Sequence, residues 1–226
     1  MLQLLRDTPR EWEGWDINEE DQRSGRELLD PVSVLMDDDT VAIRHEFGAA
    51  VAEVRIRVVD GRVDLAYAID WHESQKLLKL AFPVDVRVDR AASEIQFGHL
   101  DRPIHHNTSW DAARFEIIAH RWIQIGEPSW GVAIANNVVY GHDIRTATAP
   151  SGRPKAVARL SLSRAPRYPD PGADRGEYEF TVSLRPGGIP EAIADGYRQS
   201  LPSGPMAVAI SWSASMMRTV TVPRRP

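Results

Sequence analysis

Val54-Arg55-Ile56-Arg57-Val58 and Val63-Asp64-Leu65-Ala66-Tyr67-Ala68-Ile69-Asp70 alternate large apolar residues with polar or small ones, on either side of Asp60-Gly61. Successive side chains of a strand point to opposite faces, so a period of two buries one face and wets the other. Asp60-Gly61 suits a tight hairpin turn because both residues tolerate positive φ. The same period returns in Tyr178, Phe180, Val182 and Leu184, interleaved with Glu179, Thr181 and Ser183. Further strands are expected at 41–47, 93–97, 115–125, 132–140, 158–163, 208–212 and 219–222, with Pro-, Gly- and Asp-rich loops such as 148–154 and 166–176 between them. The pattern predicts a mainly β chain, a large antiparallel β-sandwich or super-sandwich with at most one short helix. That helix would carry Pro190 in its first turn and present Ile189, Ile193 and Tyr197 on one face, with Gly196 counting against it. Residues 12–30 are polar and acidic. The expected organisation is therefore an arm over 1–30, laid on the surface, followed by a β-sandwich domain over 31–226.

The 226 residues carry 27 Lys and Arg against 32 Asp and Glu, a net charge of −5. A nucleic-acid binder needs a cationic surplus to displace phosphate counterions, so no nucleic-acid partner is expected. No apolar run approaches the roughly 20 residues that span a bilayer, so no membrane partner is expected either. The start, Met1-Leu2-Gln3-Leu4-Leu5-Arg6-Asp7, turns charged at once, unlike a secretory signal. Without cysteine there is no disulfide, no thiolate nucleophile and no Cys-ligated zinc. A cytoplasmic location is the expectation these features support.

Common catalytic signatures are absent: no Walker loop, no Gly-x-Gly-x-x-Gly, no Gly-x-Ser-x-Gly and no His-Glu-x-x-His. In the polar run from Gly98 to Asn107, His99, Asp101, His105 and His106 have the chemistry of metal ligands. Adjacent His105 and His106 on extended backbone point apart, however, and a polar loop satisfying its own backbone is the simpler reading. No metal is expected in this chain. Asp170, Asp174 and Glu177 share a loop, and Asp37-Asp38-Asp39 form a run. Paired carboxylates could serve glycosidic acid–base chemistry, although the Asp run reads as a solvated turn. Trp12, Trp15, Trp71, Trp110, Trp122 and Trp130 could stack on sugars or fill a thick core. Trp122 is expected in the core. Trp12 and Trp15 lie in the polar arm, and one should dock on the sandwich while the other stays partly exposed.

Several stretches form one ordered set. They are Leu4-Leu5-Arg6-Asp7-Thr8-Pro9-Arg10-Glu11-Trp12-Glu13-Gly14-Trp15-Asp16-Ile17, then Asp70-Trp71-His72-Glu73, then Lys76 to Val84. Glu94-Ile95-Gln96-Phe97-Gly98 and Arg102-Pro103-Ile104-His105-His106-Asn107-Thr108-Ser109-Trp110-Asp111, running on into Phe115 to Trp122, are the most specific. Asp174-Arg175-Gly176-Glu177-Tyr178-Glu179-Phe180 follows, and in this order the stretches together resemble the C-terminal β region of the α-mannosidases of glycoside hydrolase family 38.

The resemblance implies a β-sandwich without the catalytic chemistry. In the family, sugar cleavage takes place in an N-terminal domain where His and Asp residues hold zinc and an Asp acts as nucleophile in a retaining mechanism. None of those motifs is present here. The implied role is a C-terminal, non-catalytic β domain of an α-mannosidase-like glycoside hydrolase, scaffolding a missing catalytic barrel and lining one side of the mannose site. The chain alone would be inactive and hold no cofactor, the zinc belonging to the catalytic domain. The implied partners are that domain, a mannose-containing glycan, and a second copy through self-association of apolar surface left uncovered. The implied substrate-binding residues are Arg175, with Asp174 to hold its rotamer and Gly176 to admit the ligand. Two other readings stand beside this one: a free-standing carbohydrate-binding β-sandwich module, and a small complete hydrolase using the Pro166–Gly176 loop.

Overall fold

The computed structural model describes residues 1–201 and the short strand at 218–219. In chain order its elements begin with β1 (Leu2–Arg6), β2 (Arg26–Glu27), β3 (Ser33–Asp37), β4 (Thr40–Phe47), β5 (Ala50–Val59) and β6 (Arg62–Trp71). They continue with β7 (Lys76–Val84), β8 (Arg90–Ile95), β9 (Gly98–Pro103), the single turn α1 (Ser109–Ala112), β10 (Ile117–Ile118) and β11 (Trp122–Glu127). Last come β12 (Trp130–Asn136), β13 (Gly141–Thr148), β14 (Pro154–Arg164), β15 (Gly176–Pro186), α2 (Ile189–Ser200) and β16 (Arg218–Thr219). Two antiparallel sheets result, one ordered β10-β13-β14-β7-β1-β2 and the other β16-β3-β4-β5-β6-β15-β12-β11-β8-β9.

The β5–β6 hairpin forms in the register its alternation demands. Val54 lies opposite Tyr67, and Val59 opposite Arg62. Asp60 and Gly61 close the turn with φ of 50° and 74°, the doubly positive geometry whose twist matches that of the flanking strands. Leu65, Tyr67, Ile69 and Trp71 share the buried face with Val54 of β5 and with Phe180 and Val182 of β15. The rings of Tyr67 and Phe180 stack at 4.9 Å. Leu78, Leu80, Ala158 and Leu160 of the smaller sheet join the same hydrophobic cluster, so one core lies between the two sheets. Burial at about 25 cal/mol per Å² of apolar surface makes this the main source of stability.

The arm and the strand boundaries differ in instructive ways from the sequence reading. Within residues 1–30, β1 and β2 pair into the smaller sheet, and Leu2 and Leu5 are buried. The single strand expected at 115–125 is two: β10 pairs with β13 in one sheet and β11 with β8 and β12 in the other. The chain crosses between sheets at Ala119–Arg121, where Ala119 N–H donates to the Tyr140 carbonyl and His120 N–H to the Glu94 carbonyl. Apolar alternation runs straight through such a crossing and gives no local sign of it. The strand expected at 93–97 is β8 displaced toward the N-terminus, because Gln96 and Phe97 form the turn to β9. Phe97 has φ +66° there, with its ring wholly in solvent. Trp212 and the strand expected at 208–212 lie outside the described residues. Of the strand expected at 219–222, the described part is Thr219, paired with Leu35.

The helix forms as α2, but with another face buried. Ile193 and Tyr197 are exposed, whereas Ala192, Asp195 and Gly196 are buried. The cause is Trp122, which belongs to the outer face of the larger sheet and packs with Ala92, Ala133, Ala135 and Ala192. So bulky an indole admits only small residues opposite it, and a Cβ on Gly196 would stand 2.8 Å from Trp122 Cδ1. The glycine that weakens the helix locally is what lets it dock. Gly196→Val should therefore lower unfolding free energy by about 1–3 kcal/mol, the range for overpacking, as read by urea denaturation.

Candidate functional site

The loop that joins β14 to β15 carries Asp174-Arg175-Gly176, and its base is fixed from three sides. Trp71, fully buried at the end of β6, pairs in register with Gly176, and its indole N–H donates to the Arg164 carbonyl at 2.7 Å. The Arg164 guanidinium grips both carboxylate oxygens of Asp7, at 2.8 and 3.0 Å. Its Nη2 also donates to the carbonyls of Glu13 (3.1 Å) and Asp16 (2.6 Å). Asp7 is only 1% exposed. Burial raises its pKa above the ordinary carboxylate value, and the Arg164 guanidinium pulls it back only in part. Arg167 N–H and Gln75 Nε2 both donate to Glu13 Oε1, while Arg167 Nη2 donates to Gln75 Oε1. Gly14 runs so close to the loop that a Cβ would lie 2.9 Å from Pro169 Cδ. Arm and loop thus form one body.

On that base, Asp174 is half-buried and Arg175 is exposed. Asp174 lines two cavities, one of about 90 Å³ shared with Glu73, Arg167 and Arg175, the other of about 300 Å³ shared with Gly14, Arg164 and Tyr178. Its carbonyl accepts from Tyr178 Oη at 2.6 Å. No ion pair joins Asp174 to Arg175 among the described residues. Arg175 is placed instead by its backbone N–H, which donates to the Gly172 carbonyl at 3.1 Å, and its stem lies beside Gly172. Gly176 has φ +150°, a conformation that favours glycine, and open space around its Cα. The sequence reading found this loop but missed Asp7, Glu13, Gln75 and Arg164, which hold it. Asp7 and Arg164 are 157 residues apart, and no local spacing links them.

The other candidates are dispersed. Trp12 and Trp15 are both about two-thirds exposed and meet edge to face at 6.5 Å. Neither docks on the sandwich as expected, because the turn in which Trp12 O accepts from the N–H groups of Trp15 and Asp16 turns the indoles toward each other. Trp110 and Trp130 are exposed as well, and Trp122 is buried, though under α2 rather than between the sheets. The His99 ring packs near Trp122, while His105 Nδ1 faces Asp111 at 3.5 Å. No group of three or more His, Asp or Glu is placed to hold a metal ion among the described residues, so these side chains do not fit a zinc site. Asp38 and Asp39 form the turn between β3 and β4, with Asp39 paired to Arg57. Asp170 and Glu177 are solvent-exposed.

A second polar assembly was not legible in the sequence. On the outer face of the smaller sheet, Lys79 is fully buried and reaches Glu116 at 2.6 Å and Asp143 at 2.5 Å. Arg159, 1% exposed, donates to the other Asp143 oxygen at 2.8 Å and to Gln22 Oε1 at 2.7 Å. Ser161 Oγ bonds Glu116 as well. The core-facing neighbour of Asp143 is His142, fully buried, with Nδ1 3.0 Å from the Tyr140 carbonyl. Burial pushes the imidazole down to about 4.

Comparison with known proteins now decides the family. Residues 1–172 match the model of the glycosyl hydrolases family 38 C-terminal domain. The chain belongs to that family. It is 36% identical to human alpha-mannosidase 2C1, over 93% of this chain and 21% of that protein. It is 30% identical to an alpha-mannosidase of Saccharomyces cerevisiae, over 80% of this chain and 17% of that one. An alpha-mannosidase from Enterococcus faecalis V583 shares the fold, with a TM-score of 0.63 at 15% identity over 88% of this chain and 26% of the other. The family 38 chain described here therefore spans about a fifth of the length of the human relative. The family match ends two residues before Asp174. Among the described residues no helix is long and apolar enough to cross a membrane.

Two outcomes are expected from this geometry. Asp7→Ala strands the Arg164 guanidinium, so it should cost about 3 kcal/mol in urea unfolding, the lower end for breaking a buried pair, and expose the arm to limited proteolysis. His142 titrates near 4 when folded and near 6.5 when unfolded. Below pH 6.5 the unfolded chain therefore gains a proton that the folded chain refuses. Stability should fall by about 3 kcal/mol between pH 6.5 and 4 on this account, and His142→Leu should lose that part of the slope.

Proposed function

We propose that this chain serves as the non-catalytic β domain of an α-mannosidase, seating a separate catalytic domain and lining one side of the mannose site with Arg175. The observation that carries the reading is the exposed guanidinium on a loop whose base is locked by Asp7, Arg164 and Trp71. A rigid base allows a side chain to meet substrate in a fixed place without an ordering cost at each turnover. Guanidinium offers a planar fork of donors to vicinal hydroxyls, which the point charge of lysine does not. Gly176 keeps the approach open, and the cavities beside Asp174 give a sugar ring somewhere to lie.

Support from comparison is that the relatives are α-mannosidases several times longer than this chain. The hydrolytic machinery, with its zinc and nucleophile, is assigned to the catalytic domain, and the chain by itself turns over no mannoside. The exposed Trp12 and Trp15 are offered to that domain, the absence of cysteine suits a cytoplasmic setting, and the glycan enters between the two domains.

The test replaces Arg175 with Ala in the enzyme assembled from this chain and its catalytic domain, with an aryl α-mannoside as substrate. kcat/KM should fall at least tenfold, about 1.4 kcal/mol of transition-state binding, while the melting temperature stays in place. Unchanged kinetics would remove Arg175 from the site. Tight mannose binding by the chain without its catalytic domain would favour the free-standing binding module instead.

A further inference from the structure

A cavity of about 430 Å³ opens on the outer face of the smaller sheet. It shares no lining residue with the two cavities at Asp174. Gln22, His105, His106, Asn107, Arg145 and Arg159 line it, with Asp143 at its floor. This is where the polar run 105–107, which the proposed mannoside chemistry leaves unused, comes to rest.

The lining holds more donors than acceptors. Asp143 is spent, one oxygen on Lys79 and the other on Arg159. Lys79 and Arg159 are matched in number by Asp143 and Glu116. Glu19, at the rim, faces Arg23. Arg145, two residues beyond Asp143 on the same face of β13, makes no hydrogen bond or ion pair among the described residues. Its guanidinium is partly buried and lies in the field of Arg159, both of which lower its pKa, and the Asp143 carboxylate offsets them only in part. With both Asp143 oxygens already bound to Lys79 and Arg159, the field of that carboxylate is shared among three cations, and the partly buried Arg145 is left short of negative charge.

Gln22 adds an independent sign. It is 5% exposed, its Oε1 accepts from Arg159, and its Nε2 is buried with no partner. Buried amide donors are almost always satisfied, so an orphan at a cavity wall marks the position of a missing acceptor. Imidazoles at His105 and His106 and the amide of Asn107 bring further donors to the same opening.

We propose that this cavity binds a phosphate group, as the free anion or as a sugar monoester, whose oxygens accept from the Arg145 guanidinium and the Gln22 amide. A tetrahedral anion with three free oxygens accepts from several directions at once, and guanidinium matches it with two parallel bonds. The volume lies within the range of small-molecule sites, about 300 to 1,000 Å³, so it takes the sugar of a hexose phosphate as well as the anion. Inorganic phosphate and a sugar phosphate present the same chemistry. The two are separated by measurement.

The experiment titrates the purified chain with inorganic phosphate, glucose 6-phosphate, glucose and acetate, by calorimetry in a phosphate-free buffer. Saturable one-site binding of a phosphate compound with Kd below about 1 mM, and none of glucose or acetate, is expected. Glucose 6-phosphate at least tenfold tighter than phosphate identifies a sugar phosphate, and equal affinities identify the free anion. Arg145→Ala and Gln22→Leu should each weaken binding at least tenfold. Arg145→Ala, which breaks no hydrogen bond or ion pair among the described residues, should keep or raise the melting temperature while losing its phosphate-dependent increase. Absence of saturable binding, acetate binding as tightly as phosphate, or full affinity in folded Arg145→Ala would each overturn the proposal.

Discussion

The bidentate pair between Asp7 and Arg164 is the interaction on which the functional end of this domain depends. It joins the first strand of the smaller sheet to the last residue of β14, next to the point where Trp71 of the larger sheet donates to the Arg164 carbonyl. Two sheets and one arm therefore converge on a single residue. An exposed ion pair would contribute little to stability. Here Asp7 is buried, and Arg164 spends its remaining donors on the carbonyls of Glu13 and Asp16, so the pair costs desolvation and returns definition. The loop beyond it inherits that definition.

Elsewhere the domain follows the same division of labour. Hydrophobic burial between the sheets supplies stability, from residues whose alternation is strict: Leu65, Tyr67, Ile69 and Trp71 against Leu78, Leu80 and Leu160. Charges are buried on the opposite face of the smaller sheet, where Lys79, Glu116, Asp143 and Arg159 satisfy one another. A bare sheet face carrying those groups would be well solvated. The 3₁₀ turn at Glu19–Arg23, which brings Gln22 onto Arg159, encloses them and turns a surface into an interior. The cavity lined by Arg145 lies where that cover stops.

The role proposed for this chain is that of a domain working beside another. Its relatives are much longer α-mannosidases, and the described residues supply a rigid frame, exposed indoles and an exposed guanidinium. Fold alone assigns no activity. The functional reading rests on how Arg175 is held, and the anion site on a count of donors and acceptors.

How much was legible beforehand divides along a physical line. Period-two alternation and Asp60-Gly61 determined the antiparallel sandwich and its central hairpin, because strand faces and tight turns are decided by neighbours in sequence. Pro190 marked the start of α2 for the same reason. The family resemblance is what suggested Asp174-Arg175-Gly176 for the proposed site. What stayed hidden was whatever depends on residues far apart in the chain. The split of 115–125 between two sheets follows from where β13 and β12 lie, and the buried face of α2 from the bulk of Trp122. The pairing of Trp12 with Trp15 depends on the turn between them, and the carboxylate that holds Arg164 lies 157 residues away. Sequence by itself determined which residues could be buried and where the chain could turn. Tertiary structure decided which charges met, since a carboxylate's partner is set by distance and dielectric in the folded chain rather than by spacing along it.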